Sequence, residues 1–118
     1  MSLHAVLHGN GQIAEFGGEG ILLGNGSDAR DLILVSRGAS WVALDESRVA
    51  PAFFDLKSGI AGDVLQKFVN YRMKLAILGD ISRYTGKSES LKALVRESNR
   101  GRDVAFLPSL DALIAAVG

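Results

Sequence analysis

The tetrapeptide Leu75-Ala76-Ile77-Leu78 constrains the fold more than any other stretch. It is apolar on both parities and is closed at once by Gly79-Asp80. A strand with one wet face alternates polar and apolar residues. A strand apolar at every position needs cover on both sides, as at the centre of a parallel sheet packed with helices. The residues before it supply such a helix. Ile60, Ala61, Val64, Leu65, Phe68 and Val69 form an i, i+4 stripe, with Asp63, Gln66, Lys67 and Asn70 opposite. Core packing accounts for that stripe without any further role.

Strand and helix patterns alternate along the rest of the chain. Residues 3–7 and 12–16 read as two strands with Asn10-Gly11 between them, which predicts a hairpin with a type I′ turn there. Gly17-Gly18-Glu19-Gly20 reads as a flexible connection. Ser27 is the predicted cap of a helix from Asp28, with Ala29, Leu32, Ile33 and Ser36 inward and Gly38 as its stop. Trp41-Val42-Ala43-Leu44 reads as a strand ending at Asp45-Glu46-Ser47. Pro51 to Phe54 reads as a turn or short helical segment, and Ser58 or Asp55 as the cap of the helix that carries the stripe. Ser88 caps a further helix, with Leu91, Leu94, Val95 and Ser98 inward and Gly101 beyond its end. Val104-Ala105-Phe106-Leu107 is the last strand. Pro108-Ser109 starts the last helix, with Leu110, Leu113, Ile114 and Val117 inward.

This order predicts one α/β domain over residues 1–118, too short for two cores. It has a mostly parallel sheet of about five strands, an N-terminal hairpin and about four helices. With strands laid down in sequence order, right-handed crossovers put every helix on one face. The other face, or the hairpin, is then left for a second copy. A homodimer is expected, burying roughly 1,200–2,000 Å².

Composition removes whole classes of function. Thirteen basic residues balance thirteen acidic ones, which argues against a nucleic-acid partner. The absence of cysteine excludes disulfides, thiolate metal sites and cysteine nucleophiles. Two histidines, His4 and His8, are too few for most zinc sites. The apolar runs are far short of the ~20 residues of a membrane span, and Met1-Ser2-Leu3-His4-Ala5 lacks the pattern of a signal peptide. A cytoplasmic location without membrane contact is expected. No cofactor is implied: the Walker and zinc-helix patterns are missing, and Gly9, Gly11 and Ala14 match a dinucleotide spacing that no helix follows.

The neutral total hides an asymmetry. Residues 1–50 have an excess of three acidic charges and residues 51–118 an excess of three basic ones. Arg83, Lys87, Lys92, Arg96, Arg100 and Arg102 crowd the stretch 83–102, which reads as a solvated helix face or as an anion- or partner-binding surface.

In open α/β sheets ligands gather at the carboxyl ends of the strands. Those ends are Asp45-Glu46, Gly79-Asp80 and Pro108-Ser109. Beside them Asp55-Leu56-Lys57-Ser58-Gly59 enters the long helix, whose amino end suits an anion or a phosphorylated hydroxyl. The candidate site residues are therefore Asp45, Asp55, Lys57, Ser58, Gly59, Asp80 and Arg83. Ser58 also reads as a plain cap, and Asp45 and Asp80 as turn formers, or as a carboxylate pair for acid–base work or magnesium. Both histidines lie away from Ser58, so a Ser-His-Asp triad has no support. Without a complete catalytic set, the residues favour a non-catalytic regulatory or protein-interaction domain. The alternative is a small-ligand protein, binding an anion or phosphate, or an enzyme, using the strand-end cluster.

Three segments carry a resemblance: Phe53-Phe54-Asp55-Leu56-Lys57-Ser58-Gly59-Ile60-Ala61-Gly62-Asp63-Val64-Leu65-Gln66-Lys67-Phe68, Leu75-Ala76-Ile77-Leu78-Gly79-Asp80 and Glu97-Ser98-Asn99-Arg100-Gly101. With Asn70-Tyr71-Arg72 they resemble the bacterial domain-of-unknown-function family 4180, over nearly the whole chain. The element order is more distantly similar to the STAS domain of anti-sigma-factor antagonists. Asp55-Leu56-Lys57-Ser58-Gly59 resembles the STAS Asp-Ser-Ser-Gly or Asp-Ser-Thr-Gly motif with one extra residue. The resemblance implies a STAS-like fold in which Ser58 is the phosphorylatable serine.

Overall fold

Five strands lie side by side in the order in which the chain makes them: β1 (Val6–His8), β2 (Ile13–Phe16), β3 (Trp41–Asp45), β4 (Lys74–Leu78) and β5 (Val104–Leu107). The first pair is antiparallel and the other three are parallel. The computed structural model describes residues 3–117. The chain is a mostly parallel α/β sheet with an N-terminal hairpin, and every residue of 75–78 is buried, as the apolar run requires.

The register sorts the strand side chains into two faces. One carries the rows Ala14, Val42, Leu75, Val104 and Phe16, Leu44, Ile77, Phe106. Three helices cover it: α1 (Gly26–Val35), α2 (Ile60–Asn70) and α4 (Glu89–Arg100). They contribute Ala29, Leu32, Ile33, Ala61, Val64, Phe68 and Leu91 to the main core. A single turn of helix, α3 (Ser82–Thr85), precedes α4 and has no counterpart in the sequence pattern.

The opposite face is where the expectation fails. Its central row is Ala43, Ala76 and Ala105, and α5 (Leu110–Val117) lies across it with Leu113 buried against Ile13, Ala43, Ala76 and Leu78. The helices are therefore not all on one face. Handedness binds a helix only when it crosses between two parallel strands. α5 follows the last strand, crosses to nothing, and is free to fold back. Alanines on that face leave room for a helix to approach.

Several local boundaries also move. The hairpin closes at the pair His8↔Ile13 rather than at a two-residue turn, with Gly9, Asn10 and Gly11 all at positive φ (58°, 60° and 83°). β1 is correspondingly shorter than residues 3–7. The cap of α1 is Asn25, whose Oδ1 accepts the Asp28 N–H at 2.9 Å, not Ser27. Gly59, at φ +79°, occupies the position before α2. Asp55 heads the preceding 3-10 turn instead, and Ser58 Oγ accepts the Ile60 N–H at 3.2 Å from one residue further back. On α2 itself Val69 is exposed, because the stripe turns away from the sheet in the last turn of the helix.

The connection Gly17–Gly20 is not loose. Arg48 is buried and donates through Nε to the Gly20 carbonyl at 2.8 Å, through Nη2 to the Glu19 carbonyl at 3.1 Å, and through Nη1 to the Gly17 carbonyl. A guanidinium offers five donors in a fixed fork and so satisfies carbonyls outside the strand ladder.

Candidate functional site

Beyond β3 the chain makes three single 3-10 turns, Glu46–Arg48, Pro51–Phe54 and Leu56–Ser58. Beyond β4 it makes α3 and a loop to Ser88, which caps α4 by accepting the Leu91 N–H at 3.1 Å. The two segments face each other across a groove of about 450 Å³, a size typical of small-ligand sites. Phe54, Asp55 and Lys57 line one wall, and Arg83, Tyr84 and Lys87 the other. The hydroxyl residues Ser88 and Ser90 also line it.

An aromatic stack joins the walls. The Phe54 and Tyr84 rings lie nearly parallel, 8° apart in tilt with centroids 4.2 Å apart, and Phe53 meets Phe54 edge-on behind them. Arg83 sits over the Tyr84 ring with its guanidinium carbon 4.7 Å from the centroid. Its Nη2 donates to the Tyr84 hydroxyl at 3.1 Å and to Glu46 Oε2 at 2.9 Å. The hydrogen bond to Tyr84, followed by the nearby Glu46 carboxylate, raises the Arg83 pKa above its ordinary value. Lys57 and Lys87 have no ion-pair partner among the described residues. The groove therefore gathers three cations, one of them held by Glu46, against the single lining carboxylate of Asp55.

The seven sequence candidates are not one cluster. Asp55, Lys57 and Arg83 meet in the groove. Ser58 lies outside its lining, turned back so that its hydroxyl donates to the Ala52 carbonyl at 2.6 Å. Gly59 supplies the left-handed turn into α2. Asp45 sits beside Gly79, where a Cβ would come within 3.1 Å of its Oδ1, and its Oδ2 accepts the Ser47 N–H at 2.9 Å. Asp80 lines a separate depression with Ile81, Thr85 and Lys92. Its Oδ1 accepts the Ser82 N–H at 2.8 Å, and chiefly that bond lowers its pKa below the ordinary carboxyl value. Asp45 and Asp80 thus each stabilise a local turn.

Phe54 and Tyr84 carry no site signal in the sequence, and Glu46 shows there only as part of the strand end Asp45-Glu46. Lys87 was visible only as part of the basic stretch 83–102. Much of that stretch is a solvated helix face, where Lys92 pairs with Glu89 at 3.3 Å and Arg100 with Glu97 at 3.6 Å. Among the described residues no three His, Asp or Glu side chains gather as a metal site. No helix among them is long and apolar enough to cross a membrane.

A family model described as a domain of unknown function, DUF4180, matches residues 8–117. The comparisons with curated proteins and with solved structures gave no match.

Proposed function

We propose for this chain, which belongs to the DUF4180 family of domains of unknown function, the role of a non-catalytic cytoplasmic binding domain with a regulatory purpose. Its ligand is a small anion, carboxylate or phosphate, seated in the groove between Lys57 and Lys87. The carrying observation is that these two lysines, from segments thirty residues apart in the numbering, line one groove without carboxylate partners, beside the stacked Phe54–Tyr84 pair. An anion there gains from both ammonium groups, and a ring attached to it would lie against the edge of the Phe54–Tyr84 stack. The regulatory part rests on the resemblance in element order to STAS domains and on the exposed Ser58. Asp45 and Asp80 support a non-catalytic reading, since both are engaged in turns.

Calorimetric titration with inorganic phosphate and phenyl phosphate tests this reading. Saturable binding, stronger for phenyl phosphate and weakened about tenfold or more in Lys57→Ala/Lys87→Ala, is the expected result. No heat from either titrant, or equal binding by the double variant, would overturn it.

Self-association is a second reading. With α5 covering the second sheet face, the hairpin edge is what favours it: Val6 and Leu7 are 57% and 61% exposed on β1, the edge strand with a neighbour on one side only. Sedimentation at micromolar concentration should then show a dimer of the 12.5 kDa chain that Val6→Lys reduces to monomer.

A further inference from the structure

We infer that the cavity between α5 and β5 is a second ligand site, for a small amphipathic monoanion. It lies at the amino ends of β3, β4 and β5, on the sheet face opposite the main core, and it is a half-open space of about 440 Å³. α5 seals Ile13, Ala43 and Ala76 completely, but leaves Ala105 and Leu107 of the edge strand only half-buried. The space beside the helix is what remains.

The walls have two kinds of chemistry. Trp41, Ala105, Leu113 and Val117 supply apolar lining, and Lys74 and Arg102 line the same space with cationic groups. The Lys74 ammonium lies 5.6 Å from the centre of the Trp41 ring. Neither Lys74 nor Arg102 forms an ion pair among the described residues. A purely apolar occupant would make no use of the two cations that line the space. A small hydrophilic anion would leave the indole and the aliphatic side chains wet. An apolar chain or ring with one anionic head satisfies both kinds of lining at once, its head between Lys74 and Arg102 and its body along Trp41. This site is independent of the groove at the other end of the strands, and neither proposal needs the other.

Trp41 is the only tryptophan in the chain, so its emission reports on this cavity directly. The test titrates the intact protein with octanoate and, separately, with 1-octanol. Octanoate should change the emission saturably and bind more tightly than octanol. Arg102→Gln, at an exposed position, should weaken octanoate about tenfold and leave octanol unchanged. Ala105→Leu, which adds bulk to the lining, should abolish the response to both. A linear, non-saturating response, or equal affinities for octanoate and octanol in the parent and in Arg102→Gln, would overturn the inference. Phenyl phosphate titration of the same variants should be unaffected, which separates failure here from failure at the groove.

Discussion

The side-chain amide of Asn99 pairs with both main-chain polar groups of Phe106. Its Nδ2 donates to the Phe106 carbonyl at 3.1 Å and its Oδ1 accepts the Phe106 N–H at 2.7 Å. β5 is an edge strand, and at this residue the amide stands where a sixth strand would bond. Asn99→Ala should cost about 1–2 kcal/mol in urea unfolding and speed amide exchange at Phe106. Asn99→Asp keeps the acceptor but sets a carboxylate against a carbonyl. It should be no more stable than the alanine variant, and a parent-like midpoint for either variant would refute the pairing.

The Arg48 clasp on the glycine loop gives a second expectation. Arg48→Met removes the fork and leaves carbonyls of Gly17, Glu19 and Gly20 without their donor, which should cost about 1–3 kcal/mol. Arg48→Lys should not restore it, because one ammonium on a flexible stem lacks the planar geometry. Denaturation midpoints of the three proteins decide the matter.

Asp80 provides a pH dependence. Its folded-state pKa lies below the ordinary 3.8, chiefly through the bond from the Ser82 N–H, so the carboxylate stabilises the turn above that value. The contribution disappears as pH falls through the depressed pKa. The stability difference between the parent and Asp80→Asn should therefore be present at neutral pH and vanish in strong acid. Nuclear magnetic resonance titration of the Asp80 carboxyl should give a midpoint under 3.8; a midpoint above it contradicts the assignment.

Ala43 and Ala76 beneath α5 have little spare room. Ala76 and Leu113 are both fully buried in the same cluster. Ala76→Leu should destabilise by about 1–3 kcal/mol through overpacking, and Leu113→Ala by about 2–5 kcal/mol through loss of burial. Combined, they should cost less than their sum, since each relieves the volume error of the other. Strict additivity in a double-mutant cycle would mean that the two side chains do not share a space.

The parts of the fold legible in the sequence are those whose cause is local. The run 75–78 and the stripe from Ile60 to Phe68 each state their own burial. The side taken by α5 is not local, because nothing in Leu110–Val117 records which face of the sheet is vacant. Asn25 and Ser27 are equally good caps two residues apart, and only the observed Asp28 bond separates them. Arg48 follows Glu46-Ser47 and looks solvated until the carbonyls around it are known. At the site, Asp55 and Lys57 are legible because they enter the long helix beside the strand ends, and Arg83 because it follows Gly79-Asp80. Tyr84 is not, since a single turn such as Ser82–Thr85 has no periodicity to reveal it, and Lys87 shows only within the basic stretch 83–102.

Sheet order also has a consequence for biosynthesis. Each strand pairs only with its neighbours in the chain, so as the polypeptide leaves the ribosome every new strand finds its partner already made. α1 and α2 reach the main core in step with those additions, and α4 arrives before the last strand. The strip of Ile13, Ala43 and Ala76 has no such escort. Its cover is α5, the last of the described elements to be translated, so these side chains stay in water, open to chaperones or to a neighbouring nascent chain, until residues 110–117 emerge.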